Sequence, residues 1–523
     1  SMPLLPRPTL LPVLGLAAAA VAILPLAGVV AAAFSGPSAG IPASELVRYA
    51  LTSAALAALV GLMTAVTGTV AAWLIVMTRF PGHRFFSWAL ALPLAAPGFA
   101  LAYAYADMLD PAGTLRVWLR EEVGADLPFE IRSLGGAAFV LSCAFMPYVY
   151  LAMRAAFLNQ SSAALEAARL LGCSPRQAFF RVALPMARPA LAAGVALAIM
   201  ETLADYGAVQ FLAVQTLTTG VVRAWSVFGT PAGAAQIALP LLVAAFLLLY
   251  VERQGRRGAS HDHGQVRWKQ LEPVTLAGGK ALLASCYCAL LFGLGLLLPA
   301  GWLLWKGLSS TPEWLRLLEA ASNSLGIAAA AALLTVTLAS LLALSTARLP
   351  LAARLASLGY ATPGAVMAIG LLAPAALVWQ FAPASSNFAI ALVFLLFAYA
   401  ARLMAAALEP VEAGLSRFGP SLAAASRTLG RSETATAWAV QLPLIRGALF
   451  TAALIVFVDV LKELPATLML RPFDFETLAV IANNYALDER LGQAGTPSLL
   501  LILLALPAVL WLTRQVAASR PGS

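Results

Sequence analysis

The chain has 523 residues, 61% of them hydrophobic and 11% charged, with a formal net charge of +9. Soluble domains carry about 25% charged residues, so this sequence has too few charges to solvate a globular surface and belongs in a membrane. Its Ala/Leu/Val-rich texture excludes a β-barrel, whose strands alternate polar and apolar residues over about 10 positions. The positive charges are scattered among short polar segments, which reads as topology signalling and not as a nucleic-acid surface.

A spanning helix needs about 20 mostly apolar residues. The first half predicts helices near 9–33, 50–77, 86–108, 134–157, 189–213 and 233–251. The second predicts 280–305, 323–346, 355–381, 388–408, 447–470 and 496–513. Ser1 ahead of Met2 reads as an expression remnant, and the first apolar run as a retained helix and not a signal peptide. With the N-terminus inside, about 23 of the 33 Lys/Arg but about 7 of the 24 Asp/Glu fall on the inner side. Both termini are therefore expected in the cytoplasm. The outer side is acidic, with Asp107, Asp110, Glu121, Glu122, Asp126 and Glu130 around the 109–133 loop and Asp474, Glu476, Asp488 and Glu489 in the last one. Such a rim attracts a cation or a basic partner over about 8–10 Å, or is simply a set of solvated loops. Cys143, Cys173, Cys286 and Cys288 form no disulfide framework and read mainly as buried thiols.

The two halves repeat each other. Leu165 to Leu191 is a short polar stretch between apolar runs, and Leu422 to Leu449 repeats its skeleton at an offset of 258: Gly172 or Gly430, then Leu184-Pro185 or Leu442-Pro443. Pro97-Gly98 answers to Pro363-Gly364, and Thr52-Ser53 to Asn323-Ser324. Copies with an even number of helices insert the same way round, so the expected architecture is all-α and polytopic, with two parallel repeats. These span 1–251, with a polar loop at 158–188, and 280–523, with one at 409–446. A basic cytoplasmic linker, 252–279, joins them. Pro-Gly within a span weakens the backbone ladder and is tolerated beside a cavity or where neighbouring helices compensate. In the linker, His261-Asp262-His263 gives too few fixed metal ligands. Gly279-Lys280 lacks the first Gly and the Ser/Thr of a phosphate loop, so no nucleotide site is expected.

Intramembrane charge marks where function lies. Glu201 and Asp205 in METLADYGAVQF, and Asp459 and Glu463 in FVDVLKELPATL, occupy equivalent positions of the repeat. Spacing i, i+4 puts each pair on one helix face. Four carboxylates facing the interior suit a hard cation in transit, with Tyr206 as a further oxygen. The alternative is a structural network in which Lys462 and Arg471 neutralise Asp459 and Glu463.

In the polar stretch, Glu166, Ala167 and Arg169 make a short amphipathic helix that Gly172 ends in the left-handed region, and Ser174-Pro175 starts another. Such a helix suits a groove on a cytoplasmic partner. EAARLLG with RVALP resembles the coupling motif of binding-protein-dependent ABC importer permeases. DVLKELPATLMLRPFDFETLA and ETLADYGAVQFLAVQTLTTGVVRAW resemble the fused two-repeat ferric iron permeases. The resemblance implies the type I ABC importer permease fold in a bacterial inner membrane. It also implies no catalytic residue or cofactor in this chain, with ATP and Mg held by two copies of a separate ATPase. The ATPase would dock at Glu166, Ala167, Gly172 and Pro185 and at Ala424, Gly430 and Pro443, and a periplasmic ferric-binding protein on the outer loops. Ala424 stands where Glu166 stands, so the two docking sites are expected to differ in charge. Permeases for thiamine, polyamine, phosphonate or sulfate, and an ion-coupled carrier, are the other readings.

Overall fold

The computed structural model describes residues 10–36, 41–158, 170–227, 229, 231–257, 273–346, 349–418 and 420–518. Among these, ten helices are long and apolar enough to cross a membrane, or twelve when each of two sharply bent pairs counts as one span. The protein is an all-α polytopic membrane protein. The only pairing that interrupts this among the described residues is a two-residue parallel bridge, Thr78–Arg79 with Val274–Thr275.

Four of the expected spans are broken. The 86–108 run divides into His83–Ala89, a 3-10 turn at Leu92–Ala95, and Gly98–Leu109, because Ala96 ahead of Pro97 is extended. Its counterpart divides in the same way before Gly364–Phe381, with Thr362 extended ahead of Pro363. The 189–213 run ends as a helix at Ala204 and restarts as Gly207–Phe211, and the 447–470 run ends at Leu461 and restarts as Pro465–Leu470. Apolarity foretold the spans, while the breaks follow from local backbone chemistry.

The chain folds as two compact units. One combines residues 1–42 and 220–242 with 313–480; the other combines 43–219 with 243–312 and 481–523. Each unit takes its body from one sequence copy and its flanking helices from the other. In the first unit the N-terminal helix Leu10–Ala33 lies on Gly364–Phe381 at a glycine crossing. A Cβ on Gly28 would sit 2.0 Å from the Gly370 carbonyl oxygen, and one on Gly370 would sit 1.9 Å from that of Pro25. Without a strong hydrophobic force between helices in lipid, such backbone-close contacts of small residues supply the packing. In the second unit, Gly278–Phe292 and Leu298–Leu308 pack beside the first copy's helices, and Tyr105 donates to the Leu294 carbonyl at 2.6 Å.

Internal duplication reaches single hydrogen bonds. Two helices absent from the sequence expectation, Leu217–Ser226 and Leu478–Leu487, start at equivalent places. The Ser53 hydroxyl accepts from the Leu217 amide at 2.9 Å, and the Ser324 hydroxyl from the Leu478 amide at 2.9 Å. These serines, which marked the repeat in the sequence, satisfy orphan donors at a helix start.

Candidate functional site

Two of the four intramembrane carboxylates, Asp205 and Glu463, sit at the helix breaks. Asp205 ends the Leu184–Ala204 helix with an extended backbone, and its Oδ1 accepts from the amides of Ala208 at 3.0 Å and Val209 at 3.1 Å. In the second copy Glu463 Oε1 accepts from the Ala466 amide at 2.9 Å and Oε2 from the Thr467 amide at 3.0 Å. The first amides of a helix have no partner within it, and these side chains supply one where the residues are buried. The four carboxylates, read from sequence as equals, therefore divide. Asp205 and Glu463 cap the restarted helices, and Glu201 and Asp459, both half-buried, lie one turn earlier.

The Pro-Gly pairs belong to the same feature. A Cβ on Gly98 would lie 3.0 Å from Asp205 Oδ2, and one on Gly364 would lie 2.2 Å from Glu463 Oε1. The bends seen in sequence as cavity or packing kinks thus bring a bare backbone against each acid.

Neutralising partners follow the structural alternative in part. Lys462 Nζ is 3.2 Å from Asp459 Oδ1. Arg471 instead donates to the Phe475 carbonyl at 3.0 Å, and the cation near Glu463 is Arg402, 3.9 Å away. Thr467 Oγ1 donates to Glu463 Oε2 at 2.8 Å and shares a 2.6 Å bond with the Tyr399 hydroxyl. Arg402, Tyr399 and Thr467 were missed in the sequence because they pair across helices; an arginine within an apolar run was the available signal. Tyr206 is buried at the start of Gly207–Phe211. Among the described residues no group of three or more His, Cys, Asp and Glu side chains is placed to hold a metal ion. His261, Asp262 and His263 lie outside the described residues.

In the polar stretches, Glu166 and Ala167 lie outside the described residues. Gly172 and Gly430 both adopt the left-handed region, at φ +81 and +85, with open space around them. After each, a serine starts a short helix: the Ser174 hydroxyl accepts from the Gln177 amide at 3.3 Å, and the Ser432 hydroxyl from the Ala435 amide at 3.2 Å. Wide turns follow at Phe179–Ala183 and Ala437–Gln441, ahead of Leu184-Pro185 and Leu442-Pro443. Proline lacks an amide and clashes with the carbonyl four residues back, and a widened turn relieves that clash. Leu171 and Leu429 are exposed, as are Phe180 and Trp438 at the matching positions. Ala424 is exposed on Pro420–Thr428. The second copy bends by 77° between Glu433–Leu444 and Arg446–Leu461, whereas Phe179–Ala204 is one span. The two stretches therefore differ in geometry as well as in sequence.

On the expected outer side much of the acidic rim is spent on ion pairs. Asp107 meets Lys306 at 3.0 Å, Asp110 meets Arg132 at 2.8 Å, and Asp126 meets Arg116 at 2.7 Å. Glu476 receives both Arg316 Nε and Nη2, at 2.7 and 2.8 Å. The hydrogen bond from Arg316 holds the Glu476 carboxyl below its usual range, and that from Arg116 does the same for Asp126.

Residues 83–254 match the family of binding-protein-dependent transport system inner membrane components. The sulfate transport system permease protein CysT of Escherichia coli is 30% identical over 210 residues, covering 73% of that protein and 38% of this chain. The chain belongs to this permease family. It is the inner-membrane permease of an ABC importer, a transport subunit. The permease is also similar to the Fe(3+)-transport system permease protein FbpB 2 of Haemophilus influenzae, at 26% identity over 451 residues and 84% of each chain. The molybdenum transport system permease protein ModB of Escherichia coli is 27% identical over 186 residues, or 80% of its own length and 34% of the permease.

Proposed function

We propose that the permease imports ferric iron into the cytoplasm by alternating access. The observation that carries this reading is the extent of likeness. The Fe(3+)-transport relative matches over 84% of both chains, whereas the sulfate and molybdenum relatives match 38% and 34% of this one. Two copies of a cytoplasmic ATPase, which hold ATP and Mg, dock on the polar stretches around Gly172, Pro185, Gly430 and Pro443. The paired exposed side chains Leu171 with Phe180 and Leu429 with Trp438 support this placement. A periplasmic ferric-binding protein delivers cargo to the outer loops, and both termini lie in the cytoplasm. Closure of the ATPases on ATP draws the stretches together and turns the membrane-embedded parts as near-rigid bodies.

Along the pathway we assign cargo contact to Glu201 and Asp459, with Asp205 and Glu463 shaping the helices that carry them. Anionic oxygen suits a hard trivalent cation, and carboxylates at mid-bilayer depth cost about 2.5 kcal/mol or more unless they face an interior. The test is uptake of radiolabelled iron, sulfate and molybdate by proteoliposomes holding the complete importer, with the Glu201→Ala/Asp459→Ala double variant beside it. Iron uptake that the double variant loses, with ATPase assembly intact, is expected. Uptake of an oxyanion instead would overturn the cargo, and unchanged iron uptake would remove the two residues from the pathway.

A further inference from the structure

Asp205 and Glu463 occupy matching places at the helix breaks, yet one is an aspartate and the other a glutamate. Their seats differ in the same sense. Each carboxylate lies against the first glycine of a neighbouring helix, where a methyl group would come to 3.0 Å in the first copy and 2.2 Å in the second. Each also holds the second and third amides of the restarted helix. We propose that Asp205 with Gly98, and Glu463 with Gly364, are length-matched latches that lock each broken span to its neighbour and keep the break rigid during transport. The inference rests on the permease assignment and is independent of the cargo.

The chemistry of the break requires a lock. Swinging Gly207–Phe211 or Pro465–Leu470 away from its acid strips two amides of their acceptors at residues that are buried, Ala208 with Val209 and Ala466 with Thr467, and a buried donor left unpaired carries its full desolvation penalty. A buried break with no cap is a hinge; a break whose amides and carboxylate are satisfied together is a fixed elbow. The second latch is the tighter one. Glu463 also receives Thr467 Oγ1, itself bonded to Tyr399, and lies near Arg402, whereas Val209 occupies the Thr467 position in the first copy. Asp205 and Glu463 are positioning residues in this scheme.

Length matching makes the proposal testable by rescue. Gly364→Ala puts a methyl group where Glu463 Oε1 lies, and Glu463→Asp, which gives the second copy the acid that the first uses, withdraws that oxygen. The measurement is ATP hydrolysis by the complete importer in proteoliposomes, stimulated by its loaded binding protein, with the yield of folded permease recorded beside it. Gly364→Ala should lower hydrolysis about tenfold, the scale of one lost hydrogen bond to a charged group. Gly98→Ala, with more room, should stay within about threefold of wild type, and Gly364→Ala/Glu463→Asp should return to within about threefold. Where Gly364→Ala yields no folded protein, yield becomes the readout and the same rescue is required. Wild-type hydrolysis by Gly364→Ala, or a double variant no better than the single one, would overturn the latch.

Discussion

Gly370→Ala is a one-carbon test of how the N-terminal helix is held. The added Cβ would lie 1.9 Å from the Pro25 carbonyl oxygen and 2.7 Å from its carbon, against ordinary contact at 3.4–4 Å. Both groups are helix backbone, so neither can rotate aside, and Leu10–Ala33 must retreat by about 1.5 Å. A gap of about 0.5–1 Å already forfeits a quarter to a half of the dispersion attraction, so the whole crossing loosens. The cost should reach the upper end of overpacking, about 3 kcal/mol. For a unit of this size that corresponds to about 6–12 °C in melting temperature. The assay is thermal loss of the monodisperse permease from size-exclusion chromatography. Gly326→Ala serves as the control: it lies in a helix of the same unit, and its Cβ would meet nothing within 4 Å. Gly370→Ala melting with the wild type, or Gly326→Ala falling as far, would refute the backbone-contact argument.

Valine at Gly172 or Gly430 forces a β-branched residue into the left-handed region. Each variant should lower the amount of ATPase recovered with the permease while leaving its own melting temperature within a few degrees; full recovery would sink the docking assignment. The Arg316–Glu476 pair makes the outer loop acid-sensitive. Because the folded pKa of Glu476 lies below its ordinary 4.5, its contribution is complete above that value and is lost as pH falls through the folded value. The pair is partly exposed, so the loss is at most about 1 kcal/mol. The stability difference between wild type and Arg316→Ala should therefore shrink in acid, and a difference that stays constant from pH 7 to pH 3 would contradict it.

The spans, the duplication and the carboxylate pairs were legible because each is written in runs or fixed offsets. The left-handed glycine at 172 was legible too, since an open helix end has few neighbours to overrule local preference. What stayed hidden depends on tertiary approach. Ser53 and Ser324 looked like repeat markers until the helices at Leu217 and Leu478 met them. Pro97-Gly98 and Pro363-Gly364 looked like bends, because only packing reveals which acid rests on the bare glycine. The acidic rim read as a cation attractor or as solvated loops, because Lys306, Arg132, Arg116 and Arg316 approach it only after folding.

The composition of the two units sets an order for biosynthesis. The unit whose body is the second copy holds residues 1–42, 220–242 and 313–480, so its last element leaves the ribosome near residue 480. The unit whose body is made first cannot close until 481–523 has been inserted. The earliest-synthesised bundle is thus the last to be completed, and meanwhile it holds helix faces meant for segments still to come. A ribosome stalled after residue 251 would leave both units unfinished. The helix Leu491–Ala518 is the element that closes the earliest-synthesised bundle.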